Sequence, residues 1–548
     1  MKRLLLFYFL FSSLLTFAQN DTLRIATTKT GQTLALINYF YTDTTNLERI
    51  SEKGIIAMLK ELDPHSVFIT KDEVKKMNEP LEGNFDGIGV SFQLMNDSIH
   101  VVEVIAGGPA EKVGMFAGDI IIKVDNKPAT GDSIKNDWVF KNLRGEKGSK
   151  VKVSVKRANR KDPIVFNITR DKIPIHSIDT WFMLDDSIGY LRLNRFAQTS
   201  TEEFTDAIKQ LKKEGMKDLI FDLRSNGGGY LNIAFEIGDH FLPGNKTIVY
   251  TEGLHSPKQT YDAAKKGIYE EGRLIILVDE YTASASEIVS GAVQDWKRGL
   301  ILGQRTFGKG LVQRPFTLED QSQIRLTTSR YYTPKGRCIQ KPYELYEKEN
   351  DTIEYGIMPD IIIPQDTSRA SDYLINLRSK SLFNNYTLNW VEKNREEFLK
   401  KAPDFSTFEK EYDKLNLLKD FEAYAEKEGV RRNEIKKEWV NQIVIDYLKN
   451  EITDSTAVQY DSYEDYAKSL TNKDKLVKEI VENAKKEDKK MEKMNKESEK
   501  YIESTLKALI ARNLYGIKYY YMCVKENDNE LQKAIEILKN GEYEKAIE

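Results

Sequence analysis

The chain has 548 residues, 40% of them hydrophobic and 30% charged, which describes a folded protein too long for one core and predicts about three to four domains. A formal net charge of −3 argues against a general nucleic-acid binder, which needs a basic excess. Two cysteines, Cys338 and Cys523, cannot make a disulfide framework, and five scattered histidines with no His-Glu-x-x-His or Cys-x-x-Cys give no metal motif, so no cofactor or metal is expected.

The first elements are short. Met1-Lys2-Arg3, an apolar run from Leu4 to Phe17 and the small residues around Ala18 predict a secretory signal over 1–18, cleaved after Ala18. A retained membrane anchor is the alternative, and the run is short for a span. Residues 19–81 form an N-terminal helical region: Leu34, Ile37 and Tyr41, then Ile55, Ile56, Leu59 and Leu62, recur at helical spacing until Asp63-Pro64.

From 82 the pattern turns to strands, with alternating or apolar runs at 89–94, 99–105, 120–124 and 151–155, a tight turn at Asp125-Asn126, and a short helix opened by Pro109. Residues 169–365 alternate strand and helix: strands at 188–193, 219–223 and 274–278, a helix capped by Thr201 that runs to Lys213, and another after the chain break Asn226-Gly-Gly-Gly229. That alternation predicts an α/β domain. Residues 366–548 read as helical and highly charged, with 472–500 a solvated helix. This region is either an accessory surface for assembly or partners, through a homo-oligomer or an adaptor, or a solvent-facing cap on the core.

The chemistry concentrates where the 274–278 strand feeds Thr282-Ala-Ser-Ala-Ser-Glu287. Ser284 opens a helix there, and Lys309 follows between two glycines. A serine at a strand-to-helix turn with a lysine able to take its proton is a nucleophile-and-base pattern. Ser284 with Glu287 equally fits a capping box, in which the serine oxygen only satisfies helix N–H groups. Were Ser284 a nucleophile, the Ala285 N–H would be one oxyanion donor and the glycines at 227–229 a source of a second. A buried Lys309 would lose its proton more readily, and Gln313 is placed to orient its amine.

These segments resemble the carboxy-terminal processing peptidases, or tail-specific proteases: Thr282–Glu287, Thr306-Phe-Gly-Lys-Gly310 and Gln313, joined by Leu62-Asp-Pro-His-Ser66, Phe221-Asp-Leu-Arg-Ser-Asn226, Tyr331–Gly336 and Gly356–Asp360. The resemblance covers about 50–365. It implies Ser284, not Ser286, as nucleophile, Lys309 as general base and Gln313 as its steadying partner. Gly227 stands where many members carry proline, so the second oxyanion donor is less fixed, with Gly228 preferred. The resemblance also makes 82–168 a PDZ domain whose loop Gly87-Ile88-Gly89-Val90 would bind a substrate's C-terminal carboxylate, the following strand adding a peptide strand to the sheet.

The expectation is therefore a multidomain α/β protein: N-terminal helical segment, β-rich PDZ domain, α/β serine-peptidase core and C-terminal charged helical region. Its expected role is an exported endopeptidase, periplasmic or otherwise extracytoplasmic and near the membrane, acting on proteins or peptides with free C-termini. Two other classes compete: a non-catalytic PDZ-containing peptide-binding scaffold, and an acyl-thioester enzyme on an α/β scaffold, which an export signal disfavours.

Overall fold

The computed structural model describes residues 2–95, 97–105, 107–157, 160–264, 266–343, 354–364, 371–431 and 498–548. Its centre is a six-stranded sheet, in the order Ile178–Met183, Ile188–Leu193, Asp218–Asp222, Leu274–Val278, Leu300–Gly303, Ile361–Ile362. The first pair is antiparallel and the remaining pairs are parallel. Strands buried on both faces read as continuous apolar runs, which is why 188–193 and 274–278 are legible to the residue.

Alternate side chains serve opposite faces. Leu219, Phe221, Leu274, Ile276 and Val278 pack with helices Ser200–Lys213, Leu231–Asp239 and Ala285–Asp295. Ile220, Ile275 and Leu277 face the other way, onto Leu531, Ala534, Ile537, Leu538 and Tyr543 of helices Asn529–Asn540 and Glu542–Ile547. The extreme C-terminal segment is thus half of the core's covering, in keeping with the cap reading, although it is packed rather than merely solvent-facing.

The 82–168 segment folds as expected into a sheet ordered Val90–Met95, Ser98–Val104, Ile120–Val124, Lys150–Lys156, Ile164–Thr169. Asp125 and Asn126 both take positive φ, 47° and 65°, in the tight turn between Ile120–Val124 and Lys127–Pro128. The chain enters and leaves this domain side by side, Asn84–Gly87 pairing antiparallel with Asp171–Pro174.

A third sheet was not expected. Gln323–Tyr332 pairs with Val67–Ile69, with Leu311–Thr317 and with Thr247–Gly253, which in turn pairs with Ser256–Asp262. It joins the N-terminal segment to the strand that follows Lys309.

Two details differ from the sequence reading. The helix at 200 has Thr199 rather than Thr201 at its N-cap position, without a side-chain cap bond; Thr201 already lies in the first turn and its hydroxyl bonds Glu236 Oε2 at 2.7 Å. Of the predicted solvated helix, 472–497 lies outside the described residues. The helical stretch 498–515 buries Ile502, Leu506 and Leu509 against Phe383 and Phe421. The backbone of Lys2–Phe40 is one helix, and among the described residues no helix is long and apolar enough to cross a membrane.

Candidate active site

The site forms at the C-terminal ends of two neighbouring parallel strands, Asp218–Asp222 and Leu274–Val278, whose loops are laced together. Asp279 takes the Ser225 N–H and hydroxyl, each at 2.9 Å, while Thr282 Oγ1 accepts the Asp279 N–H at 2.9 Å and lies 3.0 Å from the Leu223 carbonyl. The turn then delivers Ser284 with φ 57° and ψ −114°, a region an L-residue enters only under strain. Such strain at the start of the 11-residue helix Ala285–Asp295 aims a side chain outward from the helix N-terminus. Ser284 is half-buried and forms with Glu287 the capping box that the sequence allows, so the cap and the candidate site share the same two residues. Ser286 is fully buried, its hydroxyl donating to the Asn226 carbonyl at 2.9 Å.

Glu287 is the residue whose role the sequence understated. Read only as the far half of a capping box, it does accept the Ser284 N–H, at Oε2 and 2.7 Å. The same oxygen accepts the Lys309 N–H at 2.9 Å. Oε1 accepts the Thr306 hydroxyl at 2.5 Å and the Gly308 N–H at 2.7 Å. One buried carboxylate therefore ties the turn bearing the serine to the loop bearing the lysine, although they are far apart in sequence. Four donors match the four lone-pair directions of an ionised carboxylate. Burial pushes the Glu287 carboxyl up, against those hydrogen bonds. The signal available in the sequence was an acid in the first turn of a helix, next to the apolar Ile288, Val289, Ala292 and Val293.

Lys309 is half-buried. Burial, then the Arg325 guanidinium, pulls its amine below the ordinary 10.5, while Glu287 and Asp63 pull the other way. A neutral amine is the form that can accept a proton. No hydrogen bond joins it to Ser284 among the described residues. Gln313, expected to orient the lysine, instead donates to Thr327 Oγ1 at 3.2 Å. Thr327 in turn donates its N–H to Ser66 Oγ at 3.1 Å, and Ser66 donates to Asp63 Oδ2 at 2.7 Å. The segment Leu62–Ser66 is thereby tied to the third sheet, and its Asp63 and His65 lie close enough to interact with the Lys309 charge. His65 is one of its groups: burial and the Lys309 charge hold its imidazole below the usual value, against Asp63.

Across from the serine, Asn226 organises the glycine loop. Its Nδ2 donates to the Leu193 carbonyl at 2.8 Å, and its own carbonyl accepts the Ala283 N–H at 3.0 Å. Gly228, expected as the second oxyanion donor, donates its N–H to Asn226 Oδ1 at 2.9 Å. Its φ is +98°, and a Cβ there would stand 2.8 Å from both the Ala283 carbonyl and Ser284 Cβ and 2.9 Å from the Ala285 N. Glycine at 228 is what lets the loop approach the serine and Ala285 so closely. Tyr331 closes the far side, its hydroxyl donating to the Ser284 carbonyl at 3.1 Å.

In the β-rich domain, Ile88 is buried and its carbonyl accepts the Ala110 N–H at 2.8 Å. Gly89 turns the chain at φ +80°, and Val90 begins Val90–Met95, which lies at the edge of its sheet among the described strands.

Family models match in three places: peptidase family S41 at 187–363, a PDZ domain at 87–167, and a family of unknown function at 373–439 and 435–516. A carboxy-terminal-processing protease of Bartonella bacilliformis is 35% identical over 324 residues, covering 58% of this chain and 70% of that protein. The chain belongs to peptidase family S41. A probable CtpA-like serine protease of Staphylococcus haemolyticus is also similar to this S41 chain, at 35% identity over 307 residues, 55% of this chain and 60% of that protein. This chain thus spans 60% and 70% of the length of these two relatives. Among solved structures, a photosystem II D1 C-terminal processing protease is 29% identical over 61% of this chain and 87% of that one, with a TM-score of 0.36. The family resemblance and the multidomain α/β fold read from the sequence are borne out.

Proposed function

We propose that this chain is an exported serine endopeptidase that cuts proteins near their C-termini, with Ser284 as nucleophile and Lys309 as general base. The observation that carries the reading is Glu287 Oε2, which accepts the backbone N–H of both residues at 2.7 and 2.9 Å and so holds nucleophile and base to one atom. In the proposed reaction Ser284 Oγ bonds to the scissile carbonyl carbon while its proton passes to Lys309 Nζ. The oxyanion meets the Ala285 N–H at the positive end of its helix. Collapse breaks the C–N bond, and the lysine returns the proton to the leaving amine. Water then attacks the Ser284 ester by the same route, with Lys309 again taking and returning the proton. Gly228 joins as the second donor only by releasing Asn226 Oδ1. Gln313 orients the lysine only if its amide leaves Thr327.

Substrate choice is assigned to the PDZ domain. A strand-edge groove beginning at Ile88, Gly89 and Val90 suits an extended peptide whose carboxylate ends at the glycine turn. Purified protein incubated with a peptide in free-acid and C-terminally amidated forms tests both halves. Cleavage of the free acid, weaker cleavage of the amide, and loss of both in S284A and K309A are expected. Full cleavage by S284A would end the proposal.

A further inference from the structure

The segment 517–548 lies outside all three family matches, yet it supplies an ion pair directly behind the candidate oxyanion loop. Arg224 stands two residues before Asn226. On one side it grips Asp222, with Nε to Oδ1 at 3.0 Å and Nη2 to Oδ2 at 2.7 Å. On the other it grips Asp528 bidentately, with Nη1 to Oδ1 at 2.8 Å and Nη2 to Oδ2 at 2.7 Å. Glu530 adds a longer contact at 3.3 Å. Asp222 is fully buried and is already shared with Arg192 at 2.8 Å and Tyr190 at 2.6 Å. Asp528 and Glu530 therefore bring their charge to Arg224, and Asp528 is the one that meets it at two short contacts. A planar guanidinium held by two forks has one orientation, and it fixes the backbone at which the loop begins.

That loop is not remote from the chemistry. The Asn226 carbonyl receives the Ala283 N–H at 3.0 Å and the Ser286 hydroxyl at 2.9 Å, and Gly228 rests against Ser284. We propose that Asp528 is a positioning residue of the peptidase: reaching in from the C-terminal segment, it locks Arg224 and thereby holds residues 223–229 against the Ser284 turn. The inference rests on the peptidase reading. It makes the helical region more than an appendage. The chain leaves the core after Ile361–Ile362, passes through helices Asp372–Ser379 to Leu417–Lys427, and returns at 517–548 to brace the oxyanion loop.

Asp528 is also the N-cap of Asn529–Asn540, taking the Leu531 N–H at 3.0 Å. Asparagine caps a helix as well as aspartate does, so D528N in the full chain separates the two roles: the cap stays and the charge goes. We expect kcat to fall ~10-fold or more with KM nearly unchanged, because oxyanion donors act on the transition state. D528E, which restores the carboxylate, should recover part of the loss, and amide hydrogen exchange at 225–229 should be faster in D528N than in wild type. Wild-type cleavage with an unaltered kcat in D528N would overturn the proposal. If the wild-type protein cleaves nothing, the peptidase reading falls instead, and the exchange measurement still decides the brace: unchanged protection at 225–229 refutes it. Should D528N fail to fold, D528S, which keeps a capping oxygen and likewise removes the charge, is read the same way. Faster loop exchange supports the brace and unchanged exchange refutes it.

Discussion

Replacing Glu287 by glutamine strikes the carboxylate that gathers Ser284, Thr306, Gly308 and Lys309. Each oxygen accepts two donors, so either orientation of the amide loses two charge-assisted bonds and points an NH2 group at the donors left behind. Hydrogen bonds to a charged group are worth about 1.5–3 kcal/mol each, which places the loss at roughly 3–6 kcal/mol. Removing the charge also lifts the cost of burying it, so the low end, about 3 kcal/mol, is expected. For a core of this size that corresponds to a melting temperature lower by roughly 6–12 °C. The same change removes a negative charge that raises the Lys309 pKa. The acidic limb of kcat/KM should therefore move to lower pH even as the plateau falls, by ~100-fold if the serine and lysine loops separate. Differential scanning calorimetry and a pH–rate profile on one peptide check both. A variant that melts within ~2 °C of wild type and keeps its full plateau would refute the assignment of Glu287 as the clamp.

Three further outcomes follow from the same geometry. Arg325 holds the Lys309 amine down, and activity needs that amine unprotonated, so R325Q should shift the acidic limb of kcat/KM to higher pH; a stationary limb contradicts Lys309 as the base. Ser284 sits at φ 57°, where glycine is unstrained and alanine costs about 1–3 kcal/mol, so S284G should melt above S284A although both are inactive; the reverse order by calorimetry would remove the strain argument. G228A would drive a Cβ to 2.8 Å from the Ala283 carbonyl and Ser284 Cβ. It should abolish cleavage while circular dichroism stays native, and a fully active G228A would show that the loop is not packed on the serine.

What the sequence reveals tracks burial. Strands Ile120–Val124, Ile188–Leu193 and Leu274–Val278 were legible because apolar residues crowd them, and the last two lie between two covering layers. The third sheet was missed because its strands are half-exposed and polar. Ser256–Asp262 carries no buried residue, and Gln323–Tyr332 is mostly half-buried. Ser284 and Lys309 were legible as motif residues, whereas the roles of Glu287 and Asp528 were not. Glu287 has a sufficient local explanation as a cap, and its contacts to 306–309 exist only once two loops meet. Asp528 pairs with an arginine 304 positions away, a distance no periodicity spans. Gln313 shows how a neighbouring strand sets a side chain that spacing alone does not: Thr327, its register partner, accepts its amide.

The central claim is that one proton moves from Ser284 to Lys309. The most direct measurement is intact-protein and peptide mass spectrometry after treatment with a serine-reactive fluorophosphonate. A single adduct on Ser284 is predicted in the wild-type protein, none in S284A, and labelling slowed ~100-fold or more in K309A. An adduct on another residue, or labelling of K309A at the wild-type rate, would contradict it.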